Sequence, residues 1–475
     1  MNALSTKASV GHGSEARARR GARRVPQPKL TAPRVVSRRD FLGNGVKAAA
    51  LAAAAGPILA ACGSSGSSAG SSGDDVLTIG LPVFPKSFKA TEKFLTTFEK
   101  SSGVTVNLFT TNTASNTWVS VFQEISTRLA GGEPIDSANI ATEGMLLFAE
   151  RGVLEPLDSY IAGDKALIDS FYSDVNAPML ANFRQLDSLN GKTYYIPYVY
   201  NTMSIWYNRA LFKQHKLPDP APGWTWDDFE KAATTIASSP GTLGYAIGTP
   251  VPGPFTDVYP WVLTNGGQIL NAGQSQCVAN NPAAIEAASF VRSLVTKKVV
   301  NQPGGSYDQF SAIAANKLGM FGGGAWPNGD IPLTQAEINK QLAIAPWPRK
   351  AANGTPVGLA AFPMFKSTRN KKALWEFIKF TVSAEFQGTH VVPFSGGMPI
   401  RQSAGATQAA LLPPGSDYFN EELSYSTMIV GVPNGSAVEN EISTAWEQIL
   451  TGSTSPAAGM AAMESSCNQL MAQKV

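Results

Sequence analysis

The stretch from Ile196 to Ser239 constrains the fold of this chain more than any other. Its first part, Ile196-Pro197-Tyr198-Val199-Tyr200-Asn201-Thr202-Met203-Ser204-Ile205-Trp206-Tyr207-Asn208, is rich in β-branched and aromatic residues. It is long enough for a strand that leaves one compact unit and enters another. After a Pro-rich turn a helix is expected. Thr225 and Asp228 stand at capping-box spacing, and Phe229, Ala232, Ala233 and Ile236 fall at i, i+3, i+4 and i+7.

The first 62 residues differ in kind from the rest. They carry eleven Lys and Arg against two acids, Glu15 and Asp40, whereas the remainder holds 27 basic and 33 acidic residues. The formal charge of +3 therefore mixes a basic leader with a mildly acidic body. Ser37-Arg38-Arg39-Asp40-Phe41-Leu42 is a twin-arginine export motif, and the Ala-rich run from Val46 to Ala61 is too short and weakly apolar for a membrane span. The run ends in Leu59-Ala60-Ala61-Cys62, which resembles a lipoprotein signal-peptidase box. Residues 1–61 thus read as a signal peptide, Cys62 as the lipidated residue, and 62–75 as that residue and a flexible Ser/Gly tether. A basic arm for nucleic acid is the rival reading. It does not explain why charge, apolar run and small-residue Cys box occur in the order export requires.

The body of about 400 residues exceeds what one core usually supports, so two domains are expected. Val76–Leu81 reads as a strand, Thr91–Lys100 as a helix with Phe94, Leu95 and Phe98 on one face, and Val104–Leu108 as a second strand. That is a βαβ unit, and the first domain is α/β. Gly244–Ile247 reads as a further strand. Asn281-Pro282 opens a helix carrying Ala287, Phe290, Val291 and Leu294.

The order of the aromatic strand, Tyr207-Asn208-Arg209-Ala210-Leu211-Phe212, Leu217-Pro218 and Trp226-Asp227-Asp228-Phe229 resembles the central signature of bacterial extracellular solute-binding proteins of family 1, the maltose-binding-protein-like receptors of ATP-driven importers. Lys317-Leu318-Gly319-Met320-Phe321-Gly322-Gly323-Gly324-Ala325-Trp326-Pro327 and Gly396-Gly397-Met398-Pro399 resemble later family segments, and the resemblance covers roughly residues 76 to 450. One departure is Pro134-Ile135-Asp136, where the family usually has Pro-Asp. The resemblance implies an α/β, two-lobed periplasmic-binding-protein-like fold of type II with a ligand cleft between the lobes. It places lobe one at 76–198 and 357–400, and lobe two at 199–356 and 401–475. It also implies a monomeric, extracytoplasmic sugar or oligosaccharide receptor without cofactor or enzymatic activity, handing its ligand to the permease of an ABC importer.

Catalytic motifs are absent from the body of the sequence: residues 76–475 hold no His-Glu-x-x-His, no Gly-x-Ser-x-Gly and no Walker loop. Neither His215 nor His390 has metal-ligand spacing, and no nucleic-acid partner is expected. A sugar site needs flat aromatics for C–H faces, and carboxylates or amides for hydroxyls. The candidates are Trp326, Trp261, Tyr259, Glu143, Tyr198, Tyr200, Asn201, Trp118, Gly397 and Met398; for each aromatic the competing reading is core packing. Trp326 and Trp261 lead because the matching family loops face the cleft. Trp224, Trp226, Trp347, Trp375 and Trp446 read as structural. Cys277 and Cys467 remain once Cys62 is accounted for, and either stay free or form a disulfide in an oxidising compartment. A polyamine or peptide receptor of the same architecture and an exported glycoside hydrolase are the rival functions. Asp227-Asp228, adjacent at a helix start, do not make the facing carboxylates a hydrolase needs.

Overall fold

Among the described residues three sheets frame the fold, and the central aromatic run joins two of them. The computed structural model describes residues 76–82, 88–111, 118–181, 191–248, 253–429, 431–432 and 434–473. The twin-arginine segment, Cys62 and the Ser/Gly tether lie outside the described residues.

The first sheet is parallel, in the order β2-β1-β3, with β1 Val76–Leu81, β2 Thr105–Thr110 and β3 Ser137–Ala138. The helix Phe88–Ser102 makes the crossover from β1 to β2, which is the expected βαβ unit. Phe94, Leu95 and Phe98 are buried, and Phe94 packs against Phe377, Phe386 and Phe394 with ring centroids 4.5–6.0 Å apart. The residue inserted at the Pro-Ile-Asp departure leaves Asp136 in a structural role: its Oδ2 accepts from Thr78 N at 2.7 Å and its Oδ1 from the Thr368 hydroxyl.

The second sheet has the order β11-β5-β10-β12, with β4 also on β10: β4 Ile140–Ala141, β5 Val199–Thr202, β10 Thr355–Ala361, β11 Met398–Pro399 and β12 Ser426–Met428. The third has the order β7-β8-β6-β9: β6 Ser204–Asn208, β7 Leu243–Ala246, β8 Leu318–Gly323 and β9 Leu342–Ala345. Only Met203 separates β5 from β6, so the aromatic run does cross between two sheets, as its length and composition predict. The chain makes the passage again between β9 and β10. A third passage follows β12, leading to the helix Gly435–Thr451, which packs on the helices Pro282–Thr296 and Pro456–Met471.

Beside β7, the helix Trp226–Ala237 carries the predicted reciprocal cap. Thr225 Oγ1 accepts from Asp228 N at 3.2 Å, and Asp228 Oδ2 accepts from Thr225 N at 2.9 Å. These bonds satisfy two backbone donors that helix formation leaves orphaned. Phe229, Ala232, Ala233 and Ile236 are buried, as the periodicity requires. The helix Gln402–Ala409, which the family resemblance assigned to lobe two, instead packs on Ala384–Thr389 and β11, elements assigned to lobe one. Apolar residues at Ala404 and Ala409 direct that packing.

Candidate functional site

The passages between the second and third sheets are tied together by side chains. Met203 N donates to Thr355 Oγ1 at 2.8 Å, and that hydroxyl donates to Met203 O at 2.9 Å, joining the first passage to the second. Thr202 Oγ1 donates to Phe419 O at 3.0 Å, and Ser204 Oγ donates to Glu422 Oε2 at 2.8 Å, joining both to the segment before β12. Glu422 is fully buried and its Oε1 finds no hydrogen-bond partner, so burial pushes its carboxyl up to about 8.

Two neighbourhoods collect half of the predicted site residues. In the first, Asn201 Oδ1 accepts from Ala325 N at 3.0 Å, linking the end of β5 to the Gly-rich loop after β8. A Cβ on Gly324 would lie 2.3 Å from the Trp326 ring and 2.5 Å from Asn201 Oδ1, and one on Gly397 would lie 2.2 Å from Val199 Cγ2 and 2.9 Å from Asn201 Nδ2. Gly396, at φ 64°, presses on the Trp326 backbone. Glycine is needed here because backbones from separate segments meet with no room for a side chain. Trp326 itself is half-buried.

In the second neighbourhood, Glu143, in the first turn of the helix Thr142–Glu150, and Tyr259, at the start of the helix Tyr259–Thr264, line one small cavity with Glu439 of the helix Gly435–Thr451. Leu270, Ile429, Gly431, Val432, Gly435 and Val438 complete its wall. Its volume is about 10 Å³, room for about one water. Glu143 is held in place by its neighbour: Thr142 Oγ1 donates to Leu359 O at 3.0 Å and accepts from Leu359 N at 2.5 Å. Burial pushes the Glu143 carboxyl up to about 7; Glu439 rises well above the ordinary carboxylate range, first through burial and then through the Glu143 charge. Burial raises the Tyr259 hydroxyl too, with Glu439 the next cause. Two carboxylates and a phenol thus converge where solvent is scarce.

Sequence reasoning missed Glu439, yet a signal for it exists. Gly435, Val438, Ile442, Ala445, Trp446 and Ile449 form the buried stripe of their helix. Glu439 lies four residues from Gly435 and three from Ile442, an acid set on an apolar face.

Other candidates belong to cores, which corrects the expectation for them. Trp261 is fully buried, with Trp226, Phe229, Tyr245, Phe290 and Trp347 around it at centroid distances of 5.0–6.0 Å. The helix turns it inward, away from the cavity that Tyr259 lines. Tyr198 stacks on Phe362 at 5.1 Å and donates its hydroxyl to Asn139 Oδ1 at 3.3 Å. Tyr200 and Met398, opposite one another across β5 and β11, are 3% and 1% exposed. Trp118, half-buried, packs against the core and stacks on Phe122 at 5.7 Å. Trp224, Trp226, Trp347, Trp375 and Trp446 are buried, as expected of structural residues. Cys277 and Cys467 are buried and unbonded.

Known proteins share this architecture. An ABC substrate-binding protein from Listeria monocytogenes in complex with cycloalternan superposes with a TM-score of 0.72 at 22% identity, over 84% of this chain and 99% of that one. A maltose-bound protein of T. maritima superposes with a TM-score of 0.71 at 18% identity, over 83% and 99%. In sequence, the chain is 25% identical over 276 residues to a binding protein of Brucella abortus (strain 2308), 57% of this chain and 64% of that protein. It is also 25% identical over 246 residues to the maltotriose-binding protein of Pyrococcus abyssi (strain GE5 / Orsay), 50% and 49%. The alignments thus span less than two thirds of those relatives. The fold is that of the two-lobed solute-binding proteins. The family profile described as "Bacterial extracellular solute-binding protein" matches residues 82–388, well over half of the chain, and the chain belongs to that family.

Proposed function

We propose that this protein is the extracytoplasmic receptor of an ABC importer, closing its two lobes around a sugar or oligosaccharide and presenting it to the membrane permease. The convergence of Glu143, Tyr259 and Glu439 from three separate helices carries this reading. Carboxylates accept hydroxyl hydrogens around the edge of a sugar ring, and aromatic rings cover its faces. Trp326, half-buried at the Asn201 contact, is the aromatic for that role. Maltose, maltotriose and cycloalternan in the names of similar proteins point the same way. In the closed arrangement the cavity holds about one water, so ligand entry requires the lobes to part about the three passages.

The chain acts as a monomer and performs no chemistry on its ligand. Twin-arginine export and a lipid on Cys62 hold it at the membrane, with 62–75 as tether. Lobe one comprises 76–202 and 355–400, joined by the helix Gln402–Ala409 that packs on it, and lobe two comprises 204–354 and the helices from Gly435 onward, the boundaries expected at 198 and 357 moving so that β5 and β10 stay whole in their sheet.

Glu439 also favours a second reading. Two facing carboxylates suit a cationic ligand such as a polyamine. A thermal-shift screen of sugars, polyamines and peptides against the purified chain separates the two. A ligand at 100 times its Kd adds about 2.7 kcal/mol to native-state stability. A shift confined to one sugar class, with the sugar recovered unchanged, supports the receptor; a shift with polyamines alone replaces the ligand class, and release of products from a glycan revives the hydrolase.

A further inference from the structure

The wall of the interlobe cavity is backed by two thiols. Leu270, which lines the cavity, forms a β-bridge with Cys277, and Cys467 Sγ faces Val438 O, of a second lining residue, at 3.9 Å. The thiols are 2% and 0% exposed. Their register is fixed by Asn468: its Oδ1 accepts from Cys277 N at 2.8 Å and its Nδ2 donates to Cys277 O at 2.9 Å. The side chain next to Cys467 thus grips the backbone of Cys277 from both sides. The family is extracellular, where thiols meet oxidants rather than a reducing cytosol.

We propose that Cys277 and Cys467 are a disulfide-forming pair, closed by exchange with a disulfide oxidant such as oxidised glutathione, and that the bond staples the C-terminal helix to the wall of the ligand cavity. The Cys277 thiolate attacks one sulfur of the oxidant, forming a mixed disulfide and releasing one glutathione thiolate. The Cys467 thiolate then attacks the Cys277 sulfur and releases the second. The two protons lost by the cysteines end on the two glutathione thiols, and the cysteine pair is oxidised by two electrons as the glutathione is reduced. Because both sulfurs are buried, exchange takes place as the helix Pro456–Met471 docks, and the finished bond is shielded from reductant.

The test uses the full-length chain, refolded from guanidinium with oxidised glutathione or with dithiothreitol. It is then unfolded in iodoacetamide without further reductant, digested, and analysed by mass spectrometry. The expected product of the oxidised sample is a Cys277–Cys467 linked peptide pair, about 2 Da lighter than the sum of its reduced parts. Its melting temperature should exceed that of the dithiothreitol sample by about 5 °C. Cys467→Ser should abolish the difference between the two samples. Alkylated Cys277 and Cys467 in the oxidised sample, or either one bonded to glutathione or to Cys62, overturns the proposal. The result is independent of which solute the cavity takes.

Discussion

Tyr259 and Trp261 lie two residues apart on one helix and face opposite kinds of surroundings. Trp261 turns into a closed aromatic cluster of Trp226, Phe229, Tyr245, Phe290 and Trp347, where each ring has neighbours and the chain alone completes the packing. Tyr259 turns toward Glu143 and Glu439, where the chain sets two carboxylates together and leaves their charge without a partner cation in the cavity lining. A cluster whose rings pack against one another serves stability. A cluster of groups that raise one another's proton affinity is held together by the rest of the fold and is available to a ligand. The difference teaches that aromaticity, the stronger sequence signal, marks the core here, whereas unbalanced polarity marks the site.

Truncating Trp261 to Ala should cost about 3–5 kcal/mol, because it empties the centre of the aromatic cluster. Trp326→Ala should cost far less in urea unfolding while weakening ligand binding; equal losses from the two would erase the distinction between core and rim.

Thr355→Val comes next. It removes the hydroxyl that bonds both Met203 N and Met203 O, and an unpaired buried backbone group costs about 1–3 kcal/mol. A variant as stable as the parent in the same unfolding assay would mean that the passages are not held by this bond.

Glu143→Gln should weaken the ligand found in the screen by about tenfold or more, through loss of a charge-assisted hydrogen bond, without lowering the melting temperature. Retained affinity in calorimetry would place the ligand elsewhere.

Acidity sharpens the contrast further. The folded-state values of Glu143 and Glu422 are raised, to about 7 and about 8, so the native chain holds more protons than the unfolded chain from the ordinary carboxylate range up to those values. Stability should therefore fall as pH rises through that window. Glu422→Gln should flatten the upper part and Glu143→Gln the lower part of a plot of melting temperature against pH. A parent curve that rises between pH 5 and 8 would contradict the burial of both groups.

The smallest effect expected is that of Thr225→Ala, about 1 kcal/mol, because only a helix cap is lost at an exposed turn.

Local patterns carried far into this fold. The crossing strands, the Thr225 cap, the βαβ unit and the helix behind Asn281 follow from residue spacing and from short-range hydrogen bonds, which act between neighbours along the chain. The site was half legible. Glu143, Tyr259, Asn201, Gly397 and Trp326 were named from segment order, and the fold gathers them into two neighbourhoods. Trp261, Tyr198, Tyr200 and Met398 look the same in sequence as ligand-facing residues, because a large ring suits a core and a sugar equally.

What the sequence determined by itself was the class of protein: two α/β lobes and a chain that passes between them. Tertiary structure alone decided which face of each helix meets the other lobe. It put Glu439, nearly three hundred residues along the chain from Glu143, into one cavity with it, and laid Cys277 against Cys467 behind the wall. The reason is physical: helix periodicity says which residues share a stripe, but what lies opposite that stripe depends on contacts between segments far apart in the chain.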